Sequence, residues 1–119
     1  MVEFIESDPV ASVVRDVLAY IDNQSKSETH IALTGGRSGN EITTRLVSAC
    51  ADNPRVHFWF SDERFLPHND EQRNDYGIDA INVRCHIHSI AASDAVPSAA
   101  DAARDYSARL HQVLTTRFC

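Results

Sequence analysis

The sequence predicts an α/β domain built on a mainly parallel sheet with flanking helices, Rossmann-like in its alternation. Three observations predict it. Apolar residues occur alternately at helical spacing and in short continuous runs. The resulting order is helix, strand, helix, strand, loop, strand, helix. The two clearest strand-like runs each end in residues that are foreign to a core, glycines in one case and three consecutive charges in the other.

The first helix is expected from about Pro9 to Ile21, because Val10, Val13, Val14, Val17, Leu18 and Ile21 share one face. Ser7 or Asp8 can cap it, and Pro9 suits a first helical position. Asn23 to Thr29 is polar and reads as a loop. His30 to Thr34 has the length and character of a buried strand, and it stops at Gly35-Gly36. A second helical pattern follows Gly39 through Ile42, Leu46, Val47 and Cys50, and Asn53-Pro54 ends it. Val56 to Phe60 is a second strand, rich in aromatic residues, running directly into Ser61-Asp62-Glu63-Arg64. Pro67 to Asp75 is polar without periodicity. Val83 to Ile90 holds a third strand around His86-Ile87-His88. A last helix from about Ala99 to Phe118 puts Ala102, Ala103, Tyr106, Leu110, Val113 and Leu114 on one face.

Composition bounds the function. The chain has 119 residues, a net charge of −6, 43% hydrophobic and 24% charged residues, which suits one soluble globular domain and excludes a disordered chain. The acidic balance argues against nucleic-acid binding, since a phosphate backbone requires a basic face. No apolar run approaches the roughly 20 residues of a membrane helix. Met1 to Asp8 carries neither a basic n-region nor an apolar h-region, so no secretory signal is read and a cytoplasmic location is the default expectation. The three cysteines, Cys50, Cys85 and Cys119, form no CxxC pair and read as reduced thiols. Among the six histidines, His86 and His88 share a strand face, but no third ligand accompanies them in sequence, so no metal is expected.

In a parallel sheet, ligands bind beyond the carboxyl ends of the strands. Two loops lie there. Thr34 to Asn40 contains Gly35, Gly36, Arg37 and Ser38. Glycines allow a sharp turn and close approach of backbone to ligand, while the N–H groups opening the next helix favour an anion. Neither GxxxxGK[ST] nor GxGxxG is matched, and a tight turn needing small residues remains the competing reading. The second loop, Asp62-Glu63-Arg64, offers Arg64 as a planar cation for phosphate and Asp62 as a group to orient water or a hydroxyl. A solvated charge cluster is the alternative. The coincidence of both loops at one sheet edge favours a site.

These residues carry a resemblance. Ile31-Ala32-Leu33-Thr34-Gly35-Gly36, then Trp59-Phe60-Ser61-Asp62-Glu63-Arg64-Phe65-Leu66-Pro67, then Arg73-Asn74, resembles the 6-phosphogluconolactonase family, whose pattern is a hydrophobic strand with S/T-G-G, W/F-x-x-D-E-R-x-V/L-P and S/R-N. The resemblance extends through Ile90-Ala91-Ala92 and the Ala-rich final helix, so it spans nearly all of residues 1–119 as a single truncated domain, the N-terminal half of a family member. It implies a Rossmann-like domain shared with glucosamine-6-phosphate deaminases. The implied activity is cofactor- and metal-free hydrolysis of 6-phosphoglucono-δ-lactone to 6-phosphogluconate in the oxidative pentose phosphate pathway. Arg64 matches the lactonase version, since deaminases usually carry Asp-Glu-Tyr. Family members continue with a strand and G-x-G-x-D-G-H-x-A-S-L-F, whose His is the general base; that motif does not occur in this sequence.

The resemblance implies that Gly35, Gly36, Arg37 and Ser38 hold a substrate phosphate. Arg64 then stabilises phosphate or oxyanion charge, and Asp62 orients it. Two functions follow: a lactonase acting on a phosphosugar lactone, or a non-catalytic phosphosugar-binding module completed by another chain. Ile31, Leu33, Phe58 and Phe60 are expected in the strands at the centre of the family's sheet. Self-association is expected through a sheet edge left uncovered without the second half.

Overall fold

Helix α1 (Pro9–Asp22) begins where the chain supplies its own cap: the Asp8 carboxylate accepts the Ala11 amide at 3.1 Å, with Pro9 in the first turn. The computed structural model describes residues 8–24 and 28–118, so the alternative cap Ser7 and the third thiol, Cys119, lie outside the described residues. Val10 and Ile21 are buried, with Val14, Val17 and Leu18 packed beside them, but Val13 is 42% exposed. Val13 sits at the border of the apolar stripe, where α1 turns towards solvent.

Strand β1 (Thr29–Leu33) leads into α2 (Gly36–Ala49), which returns the chain to β2 (Val56–Phe60). Helix α2 opens earlier than the apolar periodicity indicates, because residues 36–41 contain no large apolar side chain for a period to register. After β2 come a long irregular segment, a short 3-10 helix at Ile78–Ala80 that periodicity did not anticipate, β3 (His86–His88) and α3 (Ala99–Phe118). No described helix is long and apolar enough to cross a membrane.

The sheet is parallel, in the order β1-β2-β3, which confirms the predicted class. Register pairs Ile31 with Phe58, Leu33 with Phe60, and Phe58 with Ile87. Paired residues share a face in a parallel sheet, and successive residues alternate between faces. One face is therefore aliphatic and aromatic: Leu33, Val56, Phe58 and Phe60 are buried there with Ile21, Leu46, Val47, Cys50 and Cys85. Both thiols are free and buried there, and burial raises them, that of Cys50 to about 11. The other face carries His30 and Ala32 from β1, His57 and Trp59 from β2, and His86 and His88 from β3. Helix α3 reaches this second face through Tyr106, whose hydroxyl donates to the Phe60 carbonyl at 2.8 Å and lies 3.1 Å from that of His88. Burial pushes the Tyr106 phenol up to about 12.

Every residue of β2 is buried, as befits the central strand, whereas β1 and β3 are the outer strands, β1 with Ile31 half-buried and Ala32 exposed. Among the described residues, no strand pairs with the outer edge of β1. An open edge of unpaired N–H and C=O groups recruits further strands. Sedimentation velocity across a concentration series is expected to show reversible self-association that Ala32→Lys weakens. A concentration-independent monomer would contradict this.

Candidate functional site

The strand tips are held together by a buried ion network. Glu63 follows β2 with its carboxylate turned inward, 1% exposed. Its Oε1 accepts the amides of Arg64 at 2.8 Å and Asn74 at 2.6 Å, and its Oε2 accepts the amide of Asp75 at 3.0 Å. Arg73 lies beneath, fully buried, and donates through Nε and Nη2 to both oxygens of Asp75 at 3.0 Å each. Its remaining donors reach the carbonyls of Ile90 at 2.7 Å and of Arg64 and Leu66 at 3.4 Å. The Asp75 hydrogen bonds, reinforced by the charges of Asp75 and Glu63, raise the Arg73 pKa despite burial. One guanidinium thus ties the loop after β2 to the segment before β3.

That network positions Asn74. Its Nδ2 donates to the Asp62 carbonyl at 3.0 Å and to Asp62 Oδ1 at 3.2 Å. Its amide head also fills the space beside Gly35, where a Cβ would fall 2.5 Å from Asn74 Oδ1. The next residue, Gly36, has φ +86°, the left-handed region that glycine occupies without strain. The glycine loop and the Asp-Glu-Arg loop therefore meet through one asparagine. The helix that opens here has Gly35 as its N-cap and no side chain bonded to its first amides, which leaves those donors for an anion.

The structure brings Gly35 and Asp62 together through Asn74. Gly36, Arg37, Ser38, Asp62 and Arg64 are all exposed at the tips. Arg15, Arg45, Arg73, Arg104 and Arg109 each pair with a carboxylate. Among the described residues, Arg37 and Arg64 at the tips have no ion-pair partner, a state they share with Arg84 elsewhere, although the chain is acidic. A groove of about 700 Å³ runs from Asp62 and Arg64 along Ala32 and Trp59 to Tyr106 and Leu110 of α3; the Gly35–Ser38 turn does not line it. Sequence reasoning placed no role on Glu63, Arg73, Asn74 or Asp75. The signal for them was the family resemblance, in which Glu63 stands inside the D-E-R motif and Arg73-Asn74 follows; nothing marked Asp75.

This geometry coincides with a family match. The family model described as glucosamine-6-phosphate isomerases/6-phosphogluconolactonase covers residues 6–118. The chain belongs to this family. Within it, a 6-phosphogluconolactonase of Streptomyces coelicolor is 34% identical over 95 residues, covering 71% of this chain and 36% of that protein. The crystal structure of 6-phosphogluconolactonase from Thermotoga maritima superposes with a TM-score of 0.73 at 22% identity, over 87% of this chain and 50% of that one. The devB protein structure gives 0.57 at 26% identity, over 87% and 46%. The chain spans about half or less of the length of the 6-phosphogluconolactonase relatives it matches.

Proposed function

We propose that the strand tips bind the phosphate and ring oxygens of a phosphorylated sugar lactone, and that the function served is 6-phosphogluconolactonase chemistry. The observation that carries this reading is the Asn74 bridge, which sets Asp62 beside the phosphate-type turn at Gly35 while Arg37 and Arg64 stand without carboxylate partners. In the reaction, water adds to the lactone carbonyl, the ring C–O bond breaks, and a proton passes to the departing ring oxygen. Arg64 stabilises the developing oxyanion or the phosphate, and Asp62 orients the substrate through its hydroxyls. No metal or organic cofactor enters this scheme.

The general base is the residue the scheme lacks. His57 and His88, bonded into a network on the sheet face, are poor candidates, and the glycine-flanked histidine motif of the family does not occur in the sequence. The 119 residues are therefore proposed to bind phosphosugar without turnover, with hydrolysis requiring the family's histidine-bearing segment. Calorimetry with 6-phosphogluconate is expected to show binding. Arg37→Ala and Arg64→Ala are each expected to weaken it about 10- to 100-fold, the worth of one or two charge-assisted hydrogen bonds. Lactonase assays on the same chain should give the background rate. Absence of binding would refute the phosphate site, and turnover above background would refute the missing base.

A further inference from the structure

The histidine face of the sheet holds a second cluster towards the amino ends of the strands, where His30 also lines the groove that begins at Asp62 and Arg64. Register pairs His30 of β1 with His57 of β2 on one face, and Glu28 lies just before β1, two residues from His30. Glu28 Oε2 is 3.2 Å from His57 Nε2, and Glu28 Oε1 is 3.4 Å from His30 Nε2. Glu28, His30 and His57 each offer one ligand atom, all within 4.8 Å of one another. The two imidazoles stack with centroids 4.5 Å apart. Bonds of about 2.0–2.1 Å to zinc in a tetrahedron separate neighbouring ligand atoms by about 3.3 Å; each imidazole Nε2 lies near that spacing from a different Glu28 oxygen, so binding draws the three ligand atoms inward from within 4.8 Å of one another.

We propose that Glu28, His30 and His57 form a binding site for a divalent transition metal of the zinc class, with solvent completing the coordination. Two imidazoles and one carboxylate suit zinc, cobalt or nickel better than calcium or magnesium, which take oxygen ligands. The site sits near the amino ends of the strands, opposite the phosphate-type turn. Its role is structural: it clamps the outer strand β1 and the segment before it to the central strand. It does not depend on the lactonase reading.

Proton positions define what binding must change. The Trp59 indole donates to His30 Nδ1 at 3.0 Å, so neutral His30 carries its proton on Nε2, facing Glu28. Coordination through Nε2 moves that proton to Nδ1 and displaces the indole N–H. On His57, coordination through Nε2 places the proton on Nδ1, which then donates to His88 Nε2, 2.9 Å away. His88 thus becomes the outer partner that orients a metal-bound imidazole. Trp59 is the chain's one tryptophan and stacks on His88 at 3.6 Å, so its emission reports both events.

The test is a titration of the metal-free chain with Co²⁺ and then Zn²⁺. Expected results are one Co²⁺ per chain with visible d–d absorption, a change in Trp59 emission at the same stoichiometry, and displacement by Zn²⁺ with a raised melting temperature. Glu28→Gln, nearly isosteric and only partly buried, is expected to weaken binding at least about 10-fold. His88→Phe, which keeps the ring stack, is expected to weaken it about 10-fold as an outer-partner loss. Circular dichroism identifies any variant that fails to fold. Absence of cobalt absorption, or one-to-one binding unchanged in Glu28→Gln, would overturn the site and assign any residual affinity to other histidines such as His68 or His111.

Discussion

Arg73→Met is expected to destabilise the folded chain by about 3–5 kcal/mol, the cost of removing one partner from a buried charge network. Methionine fills much of the space but leaves Glu63 and Asp75, whose side chains are 1% and 7% exposed, without their cation. Against a typical stability of about 5–15 kcal/mol, that brings the chain close to unfolding, and thermal and urea melts measure it. The same change removes the donor to the Arg64 and Leu66 carbonyls, so 6-phosphogluconate affinity should fall even at temperatures where the sheet persists. Adding Asp75→Asn to Arg73→Met should restore part of the stability, because a neutral amide tolerates the lost guanidinium, whereas Glu63 must keep both oxygens to accept the amides of Arg64, Asn74 and Asp75. An unchanged melting temperature for Arg73→Met would show that the strand tips are held by something other than this network.

Phe58→Ala is expected to cost about 3–5 kcal/mol by a different route, the loss of transfer energy together with a cavity. Phe58 is 0% exposed and stands at the centre of the sheet, paired to Ile31 on one side and Ile87 on the other. Its removal should lower the cooperativity and midpoint of unfolding for the whole domain, with ligand binding and helical signal lost together. Arg73→Met, by contrast, should separate the two. A midpoint for Phe58→Ala within about 0.5 kcal/mol of the parent, the range of ordinary surface changes, would mean that this face is not the core.

The helices were legible because their apolar residues recur at helical spacing and the strands because they are short continuous apolar runs, and the class followed from their order. The Gly35–Ser38 turn and the Asp62–Arg64 tip were legible as interruptions of apolar runs. Arg73 and Asp75 were not, because an aperiodic polar stretch looks identical whether its charges face water or each other. Only the fold, by burying Arg73 and Asp75 under the strand tips, distinguishes the two. The partnership of His30, His57 and His88 was likewise invisible: His86 and His88 announce a shared face, but cross-strand neighbours depend on register, which no local pattern encodes. Val13 fits the helical period and still lies outside the core, since periodicity fixes a direction and not the width of what packs there.

The division of the sheet into an aliphatic face and a histidine face has a consequence for folding fidelity. Sliding β2 by one residue relative to its neighbours would turn His57 and Trp59 into the layer beneath α1 and α2 and present Phe58 and Phe60 to α3. Imidazoles buried there would lose Glu28 and one another as hydrogen-bonding partners, and each desolvated polar group carries a penalty of about 1–3 kcal/mol. In a sheet with two interchangeable apolar faces the shifted pairing would be nearly as good as the native one. Here the chemistry of the two sides acts as a key, so that mispaired strands are rejected before the loops at their tips can assemble.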